Sequence, residues 1–300
     1  MVFKDFETII AKVKAFERPK RVVVAAAYED HIFEAVFGAQ KQGIVYPVLV
    51  GEKEKVREAL RKYGYISEDY EIVDAPEGTC PSQKAVDVIN AGEGDFLMKG
   101  LIETRDFLKP IVDKKNNLNI GGIMSHFTLA DMPSYHKLIA LSDAAVIINP
   151  TLEEKKAIIN NAVRALRSIG YDRPKVAILC AVEVCNPKMQ DTVDAVKLVE
   201  MWEKGEIPDC DLDGPLSYDL VMSSESAKTK GVDCPWCGDF DLIIVPQMNT
   251  GNILIKAWHY SAGAKMAGII VGARVPIVLT SRSTDTVGKY LSLVTAAACC

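Results

Sequence analysis

No stretch of about twenty uninterrupted apolar residues occurs; the segment Ala267 to Thr280 is cut by Arg274, so no membrane-spanning helix is expected. Basic residues gather into no stripe, and Lys+Arg 35 against Asp+Glu 40 leave a net charge of −5, which argues against a nucleic-acid partner. The eight cysteines stand at irregular positions, too sparse for a secreted disulfide framework. They read as free thiols, Cys234-Pro235-Trp236-Cys237 included, because no second pair stands at zinc-site spacing and the motif does not open a helix after an early strand. No metal site is therefore expected. Also missing are G-x-x-x-x-G-K-[ST], a G-x-G-x-x-G between strand and helix, G-x-S-x-G and H-E-x-x-H. Their absence weighs against ATP-loop, Rossmann dinucleotide and serine-hydrolase chemistry. Asp5 and Glu7 stand where a signal or transit peptide avoids acids, so a cytoplasmic protein is expected.

What is present is a chain of 300 residues, 49% hydrophobic and 25% charged, enough to bury a sizeable core in about two domains. Short β-branched runs alternate with amphipathic stretches, the pattern of parallel α/β architecture. Strands are expected at 21–27, 45–50, 95–98, 176–182, 240–245 and 275–279. Helices are expected at the N-terminus, at 31–42, 52–63, 82–91, 151–169 and 251–265, from Asn186-Pro187 onward and from about Thr286. In the helix after Pro150, Thr151 and Glu154 form a capping box. The one opened by Asn186-Pro187 is expected to turn Met189, Val193, Val196, Val199 and Trp202 inward. The first domain crossing is placed at Gly121-Gly122 and the irregular Ser125–Pro133 segment, the return at the turn 268–272. That gives residues 1–126 plus 268–300 as a discontinuous first α/β domain and 127–267 as a second, with a ligand cleft between them at the carboxyl ends of strands.

Four segments carry residues suited to chemistry. Pro276 to Thr284 runs a buried strand into Thr280, Ser281, Arg282, Ser283 and Thr284 before a helix begins, so helix N–H groups, hydroxyls and a guanidinium could together hold an anion. An ordinary N-cap beside an exposed arginine fits the same letters. In Val245 to Asn252, a strand leads to Gly251 and Asn252, with Lys256 one turn further; a capped tight turn is the alternative. Asp213-Gly214-Pro215-Leu216 with Asp219 reads as a rigid turn bearing carboxylates. Lys99-Gly100 follows a strand end. Of the four histidines (31, 126, 136 and 259), His126 lies nearest the expected cleft.

Taken together, VDVINAG (86–92), DFLMKGLI (95–102), DAAVIINPTLEEK (143–155), VEVCNPKMQDTVDA (182–195), DGPLSYD (213–219), VPQMNTGNILIKAW (245–258) and AGIIVGARVPIVLTSRS (267–283) resemble the phosphate acetyltransferase/phosphate butyryltransferase family, the butyryl branch more closely. The resemblance implies two α/β domains of the isocitrate/isopropylmalate dehydrogenase-like fold. It also implies an enzyme that interconverts a short-chain acyl-CoA and phosphate with acyl phosphate and CoA through a ternary complex. CoA is then a substrate; no cofactor, metal or covalent acyl-enzyme is implied, and a homo-oligomer is expected. The family's Ser-Arg pair falls on Ser281 and Arg282, its Lys-Gly pair on Lys99 and Gly100, and its glycine–asparagine turn on Gly251 and Asn252. Asp285 is the carboxylate that follows Ser281–Thr284, because Thr284 intervenes where the family usually has aspartate. Gly288 stands where the acetyl branch has a base-like aspartate, and Lys109 where arginine is common. On this reading Ser281, Arg282 and Asp285 are catalytic, while Lys99, Gly100, Lys109, His126, Asp213, Gly251, Asn252, Lys256, Ser283 and Thr284 bind phosphate or CoA. An acetyl-specific enzyme and a non-catalytic regulator that binds CoA or acyl phosphate are the alternatives.

Overall fold

The computed structural model describes residues 3–119, 122–280 and 284–300. The chain forms two compact units. The first contains Phe6–Gly122 and Ala267–Cys300; the second contains Ile123–Met266 together with the residues before Phe6. Phe3 belongs to the second unit because its carbonyl accepts the N–H of Leu138 at 2.9 Å and its ring packs on Tyr171.

In chain order the first unit runs α1 (Phe6–Lys14), β1 (Lys20–Ala25), α2 (Asp30–Lys41), β2 (Val45–Gly51), α3 (Lys53–Lys62), β3 (Glu71–Asp74), α4 (Pro81–Asn90), β4 (Phe96–Lys99) and α5 (Thr104–Val112). The second unit supplies β5 (Ser125–Asp131), β6 (Ile139–Ser142), α6 (Leu152–Ile169), β7 (Lys175–Leu179), α7 (Gln190–Glu203), β8 (Asp211–Leu216), α8 (Tyr218–Met222), α9 (Ser224–Lys230), β9 (Leu242–Ile244) and α10 (Met248–Ala262). Then β10 (Lys265–Val271), β11 (Ile277–Val278) and α11 (Thr286–Ala298) complete the first. The first unit's strands lie in the order β3-β2-β1-β4-β11-β10 and the second's in the order β5-β6-β9-β7-β8. All pairs within those two sets are parallel except β10 with β11 and β5 with β6. In β1 the residues Val22 to Ala25 are all buried, as a parallel strand covered by helices on both faces requires.

Local signals explain most of this. Phe6, Ile9, Ile10 and Val13 form the buried stripe of α1. The capping box of α6 is complete, with Thr151 and Glu154 each satisfying the other's backbone N–H before Gly170 ends the helix.

Several expectations are corrected. Ser125–Pro133 is not irregular: most of it is β5, which pairs Thr128 with Leu141 and Ala130 with Ile139. Asp213 to Leu216 is not a turn but the end of β8, hydrogen-bonded along β7; Gly214 is required because a Cβ there would stand 2.7 Å from that of Ile178. The presumed turn at 268–272 is mostly strand β10. Helix α7 starts at Gln190 and buries Thr192, Asp194, Ala195 and Leu198, while Met189, Val193, Val196, Val199 and Trp202 are only half-buried. Its face is set by polar partners: Asp194 takes the buried Lys155 ammonium at 2.7 Å, and the Thr192 hydroxyl bonds the carbonyl of Met189. Cys234 and Cys237 are joined in a disulfide rather than free, because the Pro-Trp turn between them brings their Cα atoms to 5.5 Å, within bonding range.

A charged network closes the N-terminal ends of β7 and β9. Lys137, 2% exposed, lies 2.9 Å from the Asp239 carboxylate and 2.7 Å from that of Asp241, and it donates to the Asp239 carbonyl. Burial pushes the Asp239 carboxyl up, but hydrogen bonds from Lys137, Lys175 and His136 outweigh it and hold that group well below the usual carboxylate range. Among the described residues, no helix is long and apolar enough to cross a membrane.

Candidate functional site

In parallel α/β sheets, side chains and loops able to meet a ligand collect at the carboxyl ends of the strands. In the first unit the carboxyl ends of β1, β4 and β11 lie side by side on that edge. Pairing of Ile277 with Leu97 and of Val278 with Met98 aligns β11 with β4, so in register Lys99 falls beside Leu279, two residues before Ser281. The Lys99 ammonium donates to the Ile102 carbonyl at 2.8 Å and to that of Gly100 at 3.2 Å. Gly100 is fixed by space: a Cβ would stand 2.3 Å from the carbonyl oxygen of Ala26, a residue held at φ 57°. Lys109, by contrast, is exposed on α5.

Ser281, Arg282 and Ser283 lie outside the described residues. Thr284 follows them half-buried, and Asp285 is the N-cap of α11, its carboxylate accepting the Gly288 N–H at 2.7 Å. One residue that the sequence reading passed over stands here. Lys289, 4% exposed, turns its ammonium onto the carbonyl of Thr284. Burial lowers its pKa, while Asp285, Glu29 and Glu34 pull it upward. Its signal was in the sequence: it is the single charge in TVGKYLSLVTAAA.

In the second unit, Asp143 ends the turn out of β6 and is 2% exposed. One of its carboxylate oxygens accepts the N–H groups of His126, Ala145 and Val146, at 3.1, 2.9 and 3.1 Å, and the other accepts that of Ile147 at 2.9 Å. Four of the predicted or newly found residues meet at this loop. Gly251 packs so closely that a Cβ would be 3.0 Å from Ala144 Cα and from the Asp143 carbonyl, and Asn252 donates to the Ala144 carbonyl at 3.2 Å. Gly251 and Asn252 therefore brace the 143–147 loop. The His126 ring lies with Nδ1 3.3 Å from the Thr128 hydroxyl. Burial lowers its pKa, against the opposing pull of Asp143, and so favours the neutral imidazole. Lys256 lies on the exposed side of α10.

Asp213 is not at that loop. It sits on β8 opposite Ala177, accepts the N–H of Gly214 at 2.8 Å, and has a pKa raised by burial against that bond. Nearby in sequence, the Ser217 hydroxyl bonds Glu183 and Asp219, and Lys230 bridges those carboxylates at 2.7 and 2.9 Å. A separate recess of about 710 Å³ beside the C-terminal half of α6 is lined by Asn160, Arg164, Arg167, Tyr171 and Asp209 and contains none of the predicted residues. Among the described residues, no three His, Cys, Asp or Glu side chains group to hold a metal ion.

Comparison with known proteins adds an independent line. The family described as Phosphate acetyl/butaryl transferase matches residues 79–297. The chain is 40% identical to Phosphate butyryltransferase of Clostridium acetobutylicum, over 99% of this chain and 98% of that one. It is 38% identical to Phosphate acetyltransferase of Thermotoga maritima, over 93% and 94%. Among solved structures, a branched-chain phosphotransacylase from Enterococcus faecalis V583 superposes with a TM-score of 0.83 at 30% identity, over 93% of this chain and 98% of that one. A 4-hydroxythreonine-4-phosphate dehydrogenase from Klebsiella pneumoniae shares the fold alone, at a TM-score of 0.60 and 12% identity, over 93% and 99%. The dehydrogenase-like α/β fold implied by the resemblance is borne out.

Proposed function

Because the chain belongs to the phosphate acetyl/butaryl transferase family, we propose that it interconverts butyryl-CoA and phosphate with butyryl phosphate and CoA. The observation that carries the reading is the 40% identity to a phosphate butyryltransferase along essentially the whole of both chains. In one direction a phosphate oxygen attacks the thioester carbonyl, the C–S bond breaks, and CoA leaves as a thiolate that takes up a proton. Charge develops on the carbonyl oxygen beside an anionic phosphoryl group, so fixed cations and N–H donors are the main requirement. Arg282 binds phosphate through both arms of its guanidinium, and Ser281 donates to the carbonyl or the thiol. Ser283, Thr284 and the first turn of α11 add donors, with Asp285 holding the helix start. Lys99 adds positive charge in the register position beside the same strand end. In the second unit, the Asp143 loop braced by Gly251 and Asn252, with His126 beside it, is a place where backbone N–H groups are already gathered on a carboxylate. No side chain acts as a nucleophile, and no metal or prosthetic group takes part.

The enzyme works in the cytoplasm, where CoA thioesters are made and used, as a homo-oligomer. Supporting self-association, α10 exposes Ile253 and Tyr260 on one side, 69% and 76% exposed.

The test is thiol release in the presence of a chelator, with phosphate and acyl-CoA chains from acetyl to hexanoyl. Butyryl-CoA is expected to exceed acetyl-CoA in kcat/KM by about ten- to a hundredfold, since each buried methylene is worth only ~1 kcal/mol. Equal values would make the chain a general short-acyl transferase. Binding of butyryl-CoA without turnover would make it a regulator.

A further inference from the structure

We propose that Cys234 and Cys237 form a reversible redox clip, which exchanges with low-molecular-weight thiols and disulfides and whose state sets how readily the segment 223–238 opens. The juxtaposition that carries this is a joined cysteine pair at the base of a surface segment with few other anchors. The inference lies wholly within the second unit and is independent of the transfer reaction.

The segment begins and ends at one place. Ser223 is the N-cap of α9, and its hydroxyl accepts the Ser226 N–H at 3.3 Å. At the far end Gly238 donates its N–H to the Leu220 carbonyl at 3.1 Å, and it lies so close to α9 that a Cβ would stand 2.5 Å from the Ser224 nitrogen. What lies between is lightly held. Helix α9 has seven residues, too few to persist on its own hydrogen bonds, and it buries Ala227. Lys230 reaches Glu183 and Asp219, but its side chain is 41% exposed, and surface pairs of this kind add little. The other apolar anchors are Val232, Cys234, Trp236 and Cys237, packed on the core of the unit. The clip therefore supplies two of them, and the turn it closes supplies Trp236.

Accessibility gives the exchange an order. Cys237 is 6% exposed, whereas Cys234 is half-buried, so an external thiolate meets the Cys234 sulfur first. It attacks there, the S–S bond breaks, and Cys237 leaves as a thiolate that takes up a proton. A second external thiol then displaces the first from Cys234 and carries it off as a low-molecular-weight disulfide, so that two electrons pass to the protein. Closing runs the other way: the Cys234 thiolate attacks an external disulfide, one thiol leaves, and Cys237, three residues on, displaces the other. Exposure alone does not select the pair, since Cys80 and Cys185 are exposed and stand as free thiols. Once the clip is open, the two cysteines no longer enter the core as one body, and local opening becomes easier. Lys228 and Lys230, both exposed on α9, make that opening readable by a protease that cuts after lysine.

The experiment treats the full chain with glutathione disulfide or with dithiothreitol, removes the reagent under nitrogen, and follows tryptic cleavage after Lys228 and Lys230 in native buffer. At low protease the rate follows the population of the open form, and the reduced protein is expected to be cut there about tenfold faster than the oxidised one. Equal rates overturn the proposal. The double variant Cys234→Ser/Cys237→Ser is expected to be cut at the fast rate after either treatment; a redox response that persists in it belongs to another cysteine and also overturns the proposal. The exchange is read separately in Cys237→Ser, where peptide mass mapping is expected to find one glutathione on Cys234, because the resolving thiol is gone. Absence of that adduct overturns the exchange. If the double variant does not fold, Cys237→Ser takes its place in the cleavage assay, with the same loss of redox response expected.

Discussion

Two lysines, one in each unit, are almost wholly removed from solvent yet differ in how their charge is met. Lys137 sits at the N-terminal ends of β7 and β9, 2% exposed, clamped between the carboxylates of Asp239 and Asp241. Lys289 sits after the carboxyl end of β11, 4% exposed, and its direct partner is the carbonyl of Thr284. The first charge is cancelled where it stands. Among the described residues, the second has no carboxylate in ion-pair contact. Pairing thus separates the two lysines, although burial alone makes them look alike.

The contrast breaks most visibly at Arg282. Arg282→Gln is expected to lower kcat/KM in the thiol-release assay by at least about a hundredfold while leaving the melting temperature nearly unchanged, because a fixed donor aimed at developing charge contributes to rate and not to folding. Arg282→Lys should recover only part, since an ammonium lacks the planar fork. Near-normal turnover at low phosphate would return residues 281–284 to an ordinary helix cap.

At the Lys137 network the expectation reverses. Asp241 is 5% exposed and also accepts the Lys175 N–H at 2.8 Å. Asp241→Ala leaves that donor and half of the Lys137 clamp without a partner, and should cost about 3–5 kcal/mol in urea unfolding. The KM values of the folded fraction should not move. A shift in phosphate KM would mean that the Lys137 network serves catalysis as well as folding.

The smallest effect belongs to Cys234–Cys237. Closing a loop this short removes little chain entropy, so reduction should destabilise by about 2 kcal/mol and leave turnover intact. Activity in dithiothreitol, measured beside thermal unfolding, checks both halves.

How much of this was visible in the sequence depended on whether the decisive interaction was local. The capping box of α6 and the apolar stripe of α1 are written in residues three and four apart, and both are found where expected. β5 was hidden because Ser125–Asp131 is half polar and acquires its structure by pairing with β6. The face of α7 was misread because Val193 and Val196 look like core, whereas the Lys155–Asp194 pair, 39 residues apart in sequence, sets the rotation. At the site, Lys99, Gly100, Gly251 and Asn252 were legible as glycines and polar residues after strand ends. Their tasks were not. That Gly251 faces the Asp143 loop, and that Asp143 collects four backbone N–H groups, are facts of packing. Lys289 was legible only as an anomaly, a lone charge in an apolar helix.

The three tryptophans have a practical consequence. Trp202 and Trp236 meet edge to face at 6.3 Å, with the disulfide flanking Trp236, while Trp258 donates to the Tyr218 hydroxyl at 2.7 Å. All three lie within Ile123–Met266, so indole emission excited beyond the tyrosine band originates in the second unit alone. The molecule carries a built-in optical label for one of its halves. Comparing that signal with far-ultraviolet dichroism, which sees both, would reveal whether the two halves melt together.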